Sequence, residues 1–222
     1  IAAENILLQT FTNKASEEML RRVDKIIDSK LSGRVMGGTF HSFCAKVLRK
    51  YGHFIGIDPN FVIFDPGDQL DTIKQSIATL GIDNKSIKPS SVLGTISGAK
   101  NELVGPQDYA NYARGNFQQT VARIYLIYQQ LLKKFRALDF DDLLGETVRL
   151  LQSESQVLEK LQDQFQYILV DEYQDTNKAQ YEITKLLAGK YRNLTVVGDA
   201  AQAIYSWRGA DYRNLLLLNQ DF

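Results

Sequence analysis

The chain has 222 residues, 44% of them hydrophobic and 23% charged, which suits one large or two small globular domains rather than a disordered or fibrous protein. Lys plus Arg and Asp plus Glu both count 26, so no strongly basic or acidic total singles out a partner, and nucleic-acid affinity would depend on where charge is clustered. A single cysteine, Cys44 in an apolar stretch, excludes an internal disulfide and reads as a buried small hydrophobe, and no zinc-ligand spacing occurs. No apolar run reaches the roughly 18 residues of a membrane span, so no membrane partner and a reducing, cytoplasmic setting are expected.

Ile6-Leu7-Leu8-Gln9-Thr10 reads as a short buried strand. Thr12 and Asn13 then open a helix expected over about residues 16–29, with Glu17 and Glu18 in a first turn where the helix dipole favours acids. Residues 34–39 form a weaker strand candidate, diluted by Gly37 and Gly38, and residues 40–51 have helical spacing. Residues 52–136 differ in character: they hold all four prolines (Pro59, Pro66, Pro89, Pro106) and several helix-like segments, including 68–80 and 117–135. This stretch is expected to be a mostly helical domain inserted between residues 1–51 and 137–222.

Further helices are expected over 139–151 and 156–164. Tyr167-Ile168-Leu169-Val170 reads as a buried strand ending abruptly in Asp171-Glu172. A helix follows over 178–188, then a second buried strand over 194–197 that ends in Gly198-Asp199. Strands alternating with helices predict a parallel α/β sheet, whose chemistry sits at the carboxyl ends of its strands. The chain opens on Ile1 without methionine and closes soon after the apolar run 215–218, so it is expected to be an internal piece of a longer protein.

Four segments carry chemistry. In the first, an apolar strand ends in the acid pair Asp171-Glu172, the arrangement by which P-loop nucleotide hydrolases hold Mg²⁺ and activate water. Taken alone, the pair also fits an ordinary strand followed by a polar turn. In the second, Gln202 follows a strand end and could meet a γ-phosphate. Tyr205, Trp207 and Arg208 close behind it bring two aromatic faces and a guanidinium together, which suits stacking on single-stranded DNA. Aromatics at that spacing fit a core equally well. The third, Thr10-Phe11-Thr12-Asn13-Lys14-Ala15, and the fourth, Gly38-Thr39-Phe40-His41-Ser42-Phe43, place hydroxyls, an amide and aromatics at strand ends that open helices, where phosphates are readily bound. His41 alone would more often be structural, and at least one of Phe40 and Phe43 belongs to the core.

In chain order, the third, fourth, first and second segments resemble motifs Ia, Ib, II and III of superfamily-1 helicases of the UvrD/Rep/PcrA group. The long matches are Asp171-Glu172-Tyr173-Gln174-Asp175-Thr176-Asn177 and Gln202-x-Ile204-Tyr205-Ser206-Trp207-Arg208-Gly209-Ala210. Ile96-Ser97-x-x-Lys100-Asn101-x-Leu103-x-x-Pro106-x-x-Tyr109 resembles the inserted helical domain of that group. Leu138-Asp139-Phe140-Asp141-Asp142-Leu143-Leu144 resembles the return into its motor domain.

The resemblance implies an α/β fold: part of a RecA-like parallel sheet with flanking helices (the motor domain, 1A) plus the inserted mostly helical domain (1B). It implies ATP as substrate and Mg²⁺ as cofactor, with Asp171 coordinating the metal through water, Glu172 as general base and Gln202 sensing the γ-phosphate. Phe11, Tyr205 and Trp207 would stack on bases, and Asn13, Thr39, His41 and Arg208 would contact the DNA strand or hold the stacking residues. The implied partners are single-stranded DNA and single/double-strand junctions, with 3′→5′ movement. Lys85, Lys88 and Lys100 are candidates for duplex contacts in the inserted segment.

Two departures stand out. The Gly-x4-Gly-Lys-Thr phosphate loop does not occur in these 222 residues; Gly33-x4-Gly38-Thr39 lacks the lysine and lies in the wrong place. The family's loop precedes motif Ia, so it would fall before Ile1, and the chain alone is expected not to hydrolyse ATP. In motif III, Ala200, Ala201 and Ala203 stand around Gln202, where the group usually carries a further acid and a serine. Lacking the loop's strand, residues 194–197 are expected to leave an apolar sheet edge that recruits a second copy or is covered by the chain's own tail. The alternatives are a DNA-binding or interaction fragment without catalysis, the motor part of a recombination helicase-nuclease, and a non-catalytic scaffold.

Overall fold

The computed structural model describes residues 1–26, 33–83, 87–203, 210–211 and 213–222. Four strands form one parallel sheet: β1 (Ile6–Thr10), β2 (Met36–Thr39), β5 (Tyr167–Val170) and β6 (Leu194–Val196), in the order β2-β1-β5-β6. Leu7 lies opposite Met36 on one side and Ile168 on the other, and Val170 lies opposite Val196. Parallel strands need crossover connections that cover the sheet, and the apolar residues Ile6–Leu8 and Tyr167–Val170 supply most of its buried positions, Leu169 alone of these being exposed. The α/β class expected from the sequence is the one observed. No described helix is long and apolar enough to cross a membrane.

The helices flanking this sheet are α1 (Asn13–Ile26), α2 (Phe40–Tyr51), α7 (Phe140–Ser153), α8 (Ser155–Gln164), α9 (Lys178–Ala188) and α10 (Arg213–Asp221). Helix α2 buries Phe40, Phe43, Cys44, Val47, Leu48 and Tyr51, a stripe at three- and four-residue spacing. Thr39 caps it, its hydroxyl oxygen accepting from Ser42 N at 3.2 Å. These residues join Leu7, Leu143, Leu144, Ile168, Val170, Ile183 and Leu187 in one core. Cys44 is fully buried, and burial pushes its thiol up to about 12, so it serves as a packing residue.

A second core lies among α3 (Pro66–Thr79), α4 (Pro89–Asn101) and α6 (Gly115–Lys134), with the short α5 (Pro106–Tyr112) packed on α6. Its members include Ile73, Ile77, Val92, Ile96, Val121, Ile124, Tyr125, Tyr128 and Leu132. A two-stranded parallel pair, β3 (Val62–Ile63) with β4 (Ala137–Leu138), ties the two ends of this stretch together.

Several boundaries differ from the sequence expectations. Helix α1 starts at Asn13 rather than near 16, because Thr12 accepts from Ala15 N at 3.1 Å and caps it there. Glu17 and Glu18 therefore fall beyond the first turn, and Glu18 pairs with Arg21 and Arg22 instead. Strand β2 begins only at Met36. Gly37, which weakened its sequence signal, is where Leu20 of α1 crosses: a Cβ there would meet Leu20 Cδ2 at 2.5 Å. Strand β6 stops at Val196, and the apolar run 215–218 belongs to helix α10.

The two cores are joined by a buried ion cluster. Lys100 Nζ, at the end of α4, donates to Asp139 Oδ2 at 2.6 Å and to Asp142 Oδ1 at 2.7 Å. Tyr128 Oη donates to Asp139 Oδ2 at 2.8 Å. Asp139 and Asp142 also form the capping box of α7. Burial opposes every charge here. The two carboxylates nevertheless hold the Lys100 ammonium above its ordinary value, and Lys100 keeps Asp139 low, while burial and the Asp139 charge push Asp142 up to about 7. Lys100 is only 6% exposed, which removes it from the candidate duplex contacts. Lys88 is exposed at the start of α4, and Lys85 lies outside the described residues.

Candidate functional site

All four chemistry-bearing segments leave the sheet at the carboxyl ends of its strands. Strand β5 delivers Asp171, whose N–H donates to Gln9 O at 2.9 Å, so the acid pair starts as a continuation of the β1–β5 ladder. The chain then turns sharply: Glu172 has φ 54° and ψ 41°, a left-handed conformation that costs a non-glycine residue about 1–3 kcal/mol. Asp171 Oδ1 accepts from Glu172 N at 3.0 Å and steadies the turn. The Glu172 side chain is exposed, whereas Tyr173, Gln174 and Asp175 fold inward as a single 3-10 turn.

Gln174 is 1% exposed and uses both ends of its amide. Its Nε2 donates to Glu172 Oε2 at 2.8 Å, and its Oε1 accepts from Asp199 N at 3.0 Å. Asp199 Oδ1 accepts from Ala201 N, and its Oδ2 accepts from Gln202 Nε2, both at 2.9 Å. These bonds, the Ala201 N–H foremost, hold the Asp199 carboxyl below its ordinary value. The residue after the acid pair and the strand end are tied as well, Tyr173 N donating to Val197 O at 2.9 Å.

Beside this network Thr10 Oγ1, Gln9 Nε2, Tyr173 Oη and Asp175 Oδ1 are buried without hydrogen-bond partners among the described residues. Burial first, and then the charge of Glu172, raise the Asp175 carboxyl. Of these, Thr10 ends β1 and Asp175 closes the turn after the acid pair, and an unpaired buried polar atom is costly in a merely structural loop.

At the end of β1, Phe11 is half-buried and sets its ring edge-on to Phe40, centroids 6.3 Å apart; Asn13 is exposed in the first turn of α1. At the end of β2, Thr39 is spent on capping α2. His41 packs edge-on against Phe140 at 5.7 Å, and burial lowers its pKa and favours the neutral ring. Phe140 belongs to the segment that follows the second core, so His41 sits where that segment meets the sheet. The structure thus brings Asp171, Glu172 and Gln202 to one end of the sheet with Phe11, Asn13, Thr39 and His41. Tyr205, Trp207 and Arg208 lie outside the described residues.

Two residues escaped the sequence reading. Gln174 stands inside the acid motif but reads as an unremarkable polar turn residue. Asp199 reads from sequence only as a strand end. The usable signal was Gly198: a Cβ there would come within 2.6 Å of Gln174 Oε1 and 3.2 Å of Gln174 N, so the glycine marks a close approach of two loops. Asn177 is a third link. It caps α9 through Gln180 N at 2.9 Å and donates from Nδ2 to Asn101 Oδ1 at the end of α4.

The residues fit a Mg²⁺ ion of the kind that phosphate substrates bring. No group of three metal-ligating side chains occurs among the described residues, but Asp171 presents a half-buried carboxylate at a strand end. Mg²⁺ is commonly held by one or two carboxylates together with waters and substrate phosphates.

A parallel α/β sheet with an acid pair at the carboxyl end of an inner strand is the architecture of a RecA-like motor domain. The chain belongs to the UvrD/REP helicase family: the model of the UvrD/REP helicase N-terminal domain matches residues 1–222. It is 47% identical over 222 residues, its whole length, to the ATP-dependent DNA helicase PcrA of Staphylococcus aureus (strain Mu50) and to that of Staphylococcus epidermidis (strain ATCC 12228). It spans 30% of the length of each of these relatives.

Proposed function

We propose that this chain is the acid-bearing and DNA-contacting part of an ATP-dependent DNA helicase acting in the cytoplasm. The observation that carries the reading is the convergence of Asp171, Glu172 and Gln202 with Phe11, Asn13, Thr39 and His41 at one end of a single parallel sheet. Residues 1–51 and 137–222 form motor domain 1A. Residues 52–136, which supply all of a second buried cluster but Ala137, form the inserted domain 1B. Asp171 would hold Mg²⁺, through water, and the ion would supply neutralisation of charge on the phosphates. Glu172 accepts the proton of the attacking water, and Gln202 contacts the γ-phosphate. Phe11 stacks on the bases of a single strand together with Tyr205 and Trp207, while Asn13, Thr39, His41 and Arg208 bind the strand or brace the stacking rings. The whole protein moves 3′→5′ and opens duplex at single/double-strand junctions. This chain, lacking the Gly-x4-Gly-Lys-Thr loop, does not hydrolyse ATP by itself.

The test uses the chain's one tryptophan. A short single-stranded oligonucleotide should quench Trp207 emission, and the quenching should weaken as salt rises. An unchanged spectrum at low salt, with no binding by anisotropy of a labelled oligonucleotide, would count against the DNA-contact assignment. Robust DNA-stimulated ATP turnover by the chain alone would overturn its inactivity.

A second reading is favoured by the sheet edge. Among the described residues β6 pairs only with β5, and Val197, which follows it, is 61% exposed. On this reading the isolated chain self-associates through that edge. A monomer by light scattering at micromolar concentration would remove it.

A further inference from the structure

We propose that Gln174 is a positioning residue for ATP hydrolysis, holding Glu172 in its working orientation and linking it through Asp199 to Gln202. The proposal deepens the functional reading above, since it rests on Glu172 as general base and Gln202 as phosphate contact.

Glu172 needs such a support. It sits on a left-handed residue at the tip of an exposed turn, and the bond from Gln174 is the only hydrogen bond to its carboxylate among the described residues. A long acidic side chain with no partner samples several rotamers, and a general base must stay within hydrogen-bond reach of one water. Gln174 is suited to fix it because its own amide cannot turn over. Nε2 must face the carboxylate and Oε1 must face the Asp199 N–H; the flipped amide would set a donor against a donor and an oxygen against an oxygen. Burial locks the rest of the side chain.

The second independent feature is Gly198. Its missing Cβ is what lets the β6 loop lie against Gln174, so the contact is built into both loops. Three hydrogen bonds then run from Glu172 to Gln202 without a gap: Gln174 to Glu172, Asp199 to Gln174, and Gln202 to Asp199. A shift of Gln202 on meeting a phosphate is passed along this path to the base, and a shift of the base is passed back. In physical terms the relay makes the two groups move as one unit rather than as two loop residues.

The experiment is a double-mutant cycle in the full-length protein that carries this segment, reading kcat and KM for ATP at saturating single-stranded DNA. Gln174→Met keeps the length of the side chain and removes both polar contacts. It should lower kcat by about 10- to 100-fold, the scale of a small misplacement of reacting groups, with KM nearly unchanged. In combination with Gln202→Ala it should add little to the loss caused by the slower single variant, because residues acting as a unit are not additive. Gly198→Ala, which displaces Gln174 without altering its chemistry, should also lower kcat and not KM. Gln174→Asn, which keeps the amide but withdraws it, provides the same reading should the methionine variant fail to fold. The proposal is overturned if these variants retain kcat within about twofold of the parent, or if the Gln174 and Gln202 losses multiply. Glu172→Gln separates the two levels: if it leaves turnover intact, the general-base reading fails first. If it abolishes turnover while Gln174→Met does not change it, the role of Gln174 alone is refuted.

Discussion

Replacing Lys100 with methionine is expected to destabilise the folded chain by about 3–5 kcal/mol, the usual cost of removing one partner from a buried ion pair. Methionine matches the aliphatic stem, so little packing is lost. What remains is Asp139 and Asp142, both nearly inaccessible to water, joined by backbone caps and facing each other without a cation. The Tyr128 hydroxyl and the Gln129 amide still donate to them, but neither carries charge. The urea midpoint at constant m-value measures the effect. Lys74→Ala, which breaks an exposed pair with Asp71 on α3, is the matched control and should cost about 0–1 kcal/mol. A Lys100 effect as small as the control would show that the cluster contributes nothing to holding the two cores together.

The second large effect concerns turnover. In the full-length protein, Glu172→Gln should lower DNA-stimulated ATP hydrolysis by about 10²- to 10⁴-fold, the range assigned to a positioned general base. Stability should change little, because the side chain is exposed and the hydrogen bond it accepts from Gln174 is made equally well by a glutamine carbonyl. Binding of single-stranded DNA should be retained, since Phe11, Asn13 and His41 stand on other strand ends. Loss of DNA binding together with turnover would mean that Glu172 serves the architecture of the strand ends rather than the chemistry.

Much of the fold was legible because its signals are local. Tyr167–Val170 is an apolar run closed by an acid pair, and Ile6–Leu8 one closed by Gln9 and Thr10, and the strands occur there as expected. Helix α2 and helix α9 likewise occupy the expected residues, the first set by its apolar stripe and the second by the Asn177 cap and Gln180. What escaped depends on partners far away in the chain. The pair β3–β4 has two residues per strand, too few for any period to register. Lys100 looks like one more surface lysine until Asp139 and Asp142 are brought to it. At the site, the strand-end positions of Asp171, Glu172 and Phe11 could be read from residue type and position, while Tyr205 and Trp207 lie outside the described residues. The Gln174 relay could not, because an amide between two loops leaves no pattern of its own.

The strand order carries a consequence for assembly of the chain. The central ladder sets Ile6 opposite Tyr167, so the first strand made is completed by one of the last. Closing so long a loop costs entropy that no local contact offsets, and long-range pairing of this kind is intrinsically slow. Helices α3, α4 and α6 meet through contacts much closer in sequence and share a core to which β1 and β5 contribute nothing. That core is free to form early, and Lys100 and Asn101 at the end of α4 are then already in position when residues 139–177 arrive. If that core forms first, the segment that separates the two halves of the sheet brings their ends closer together, and truncating its core should slow refolding of the sheet.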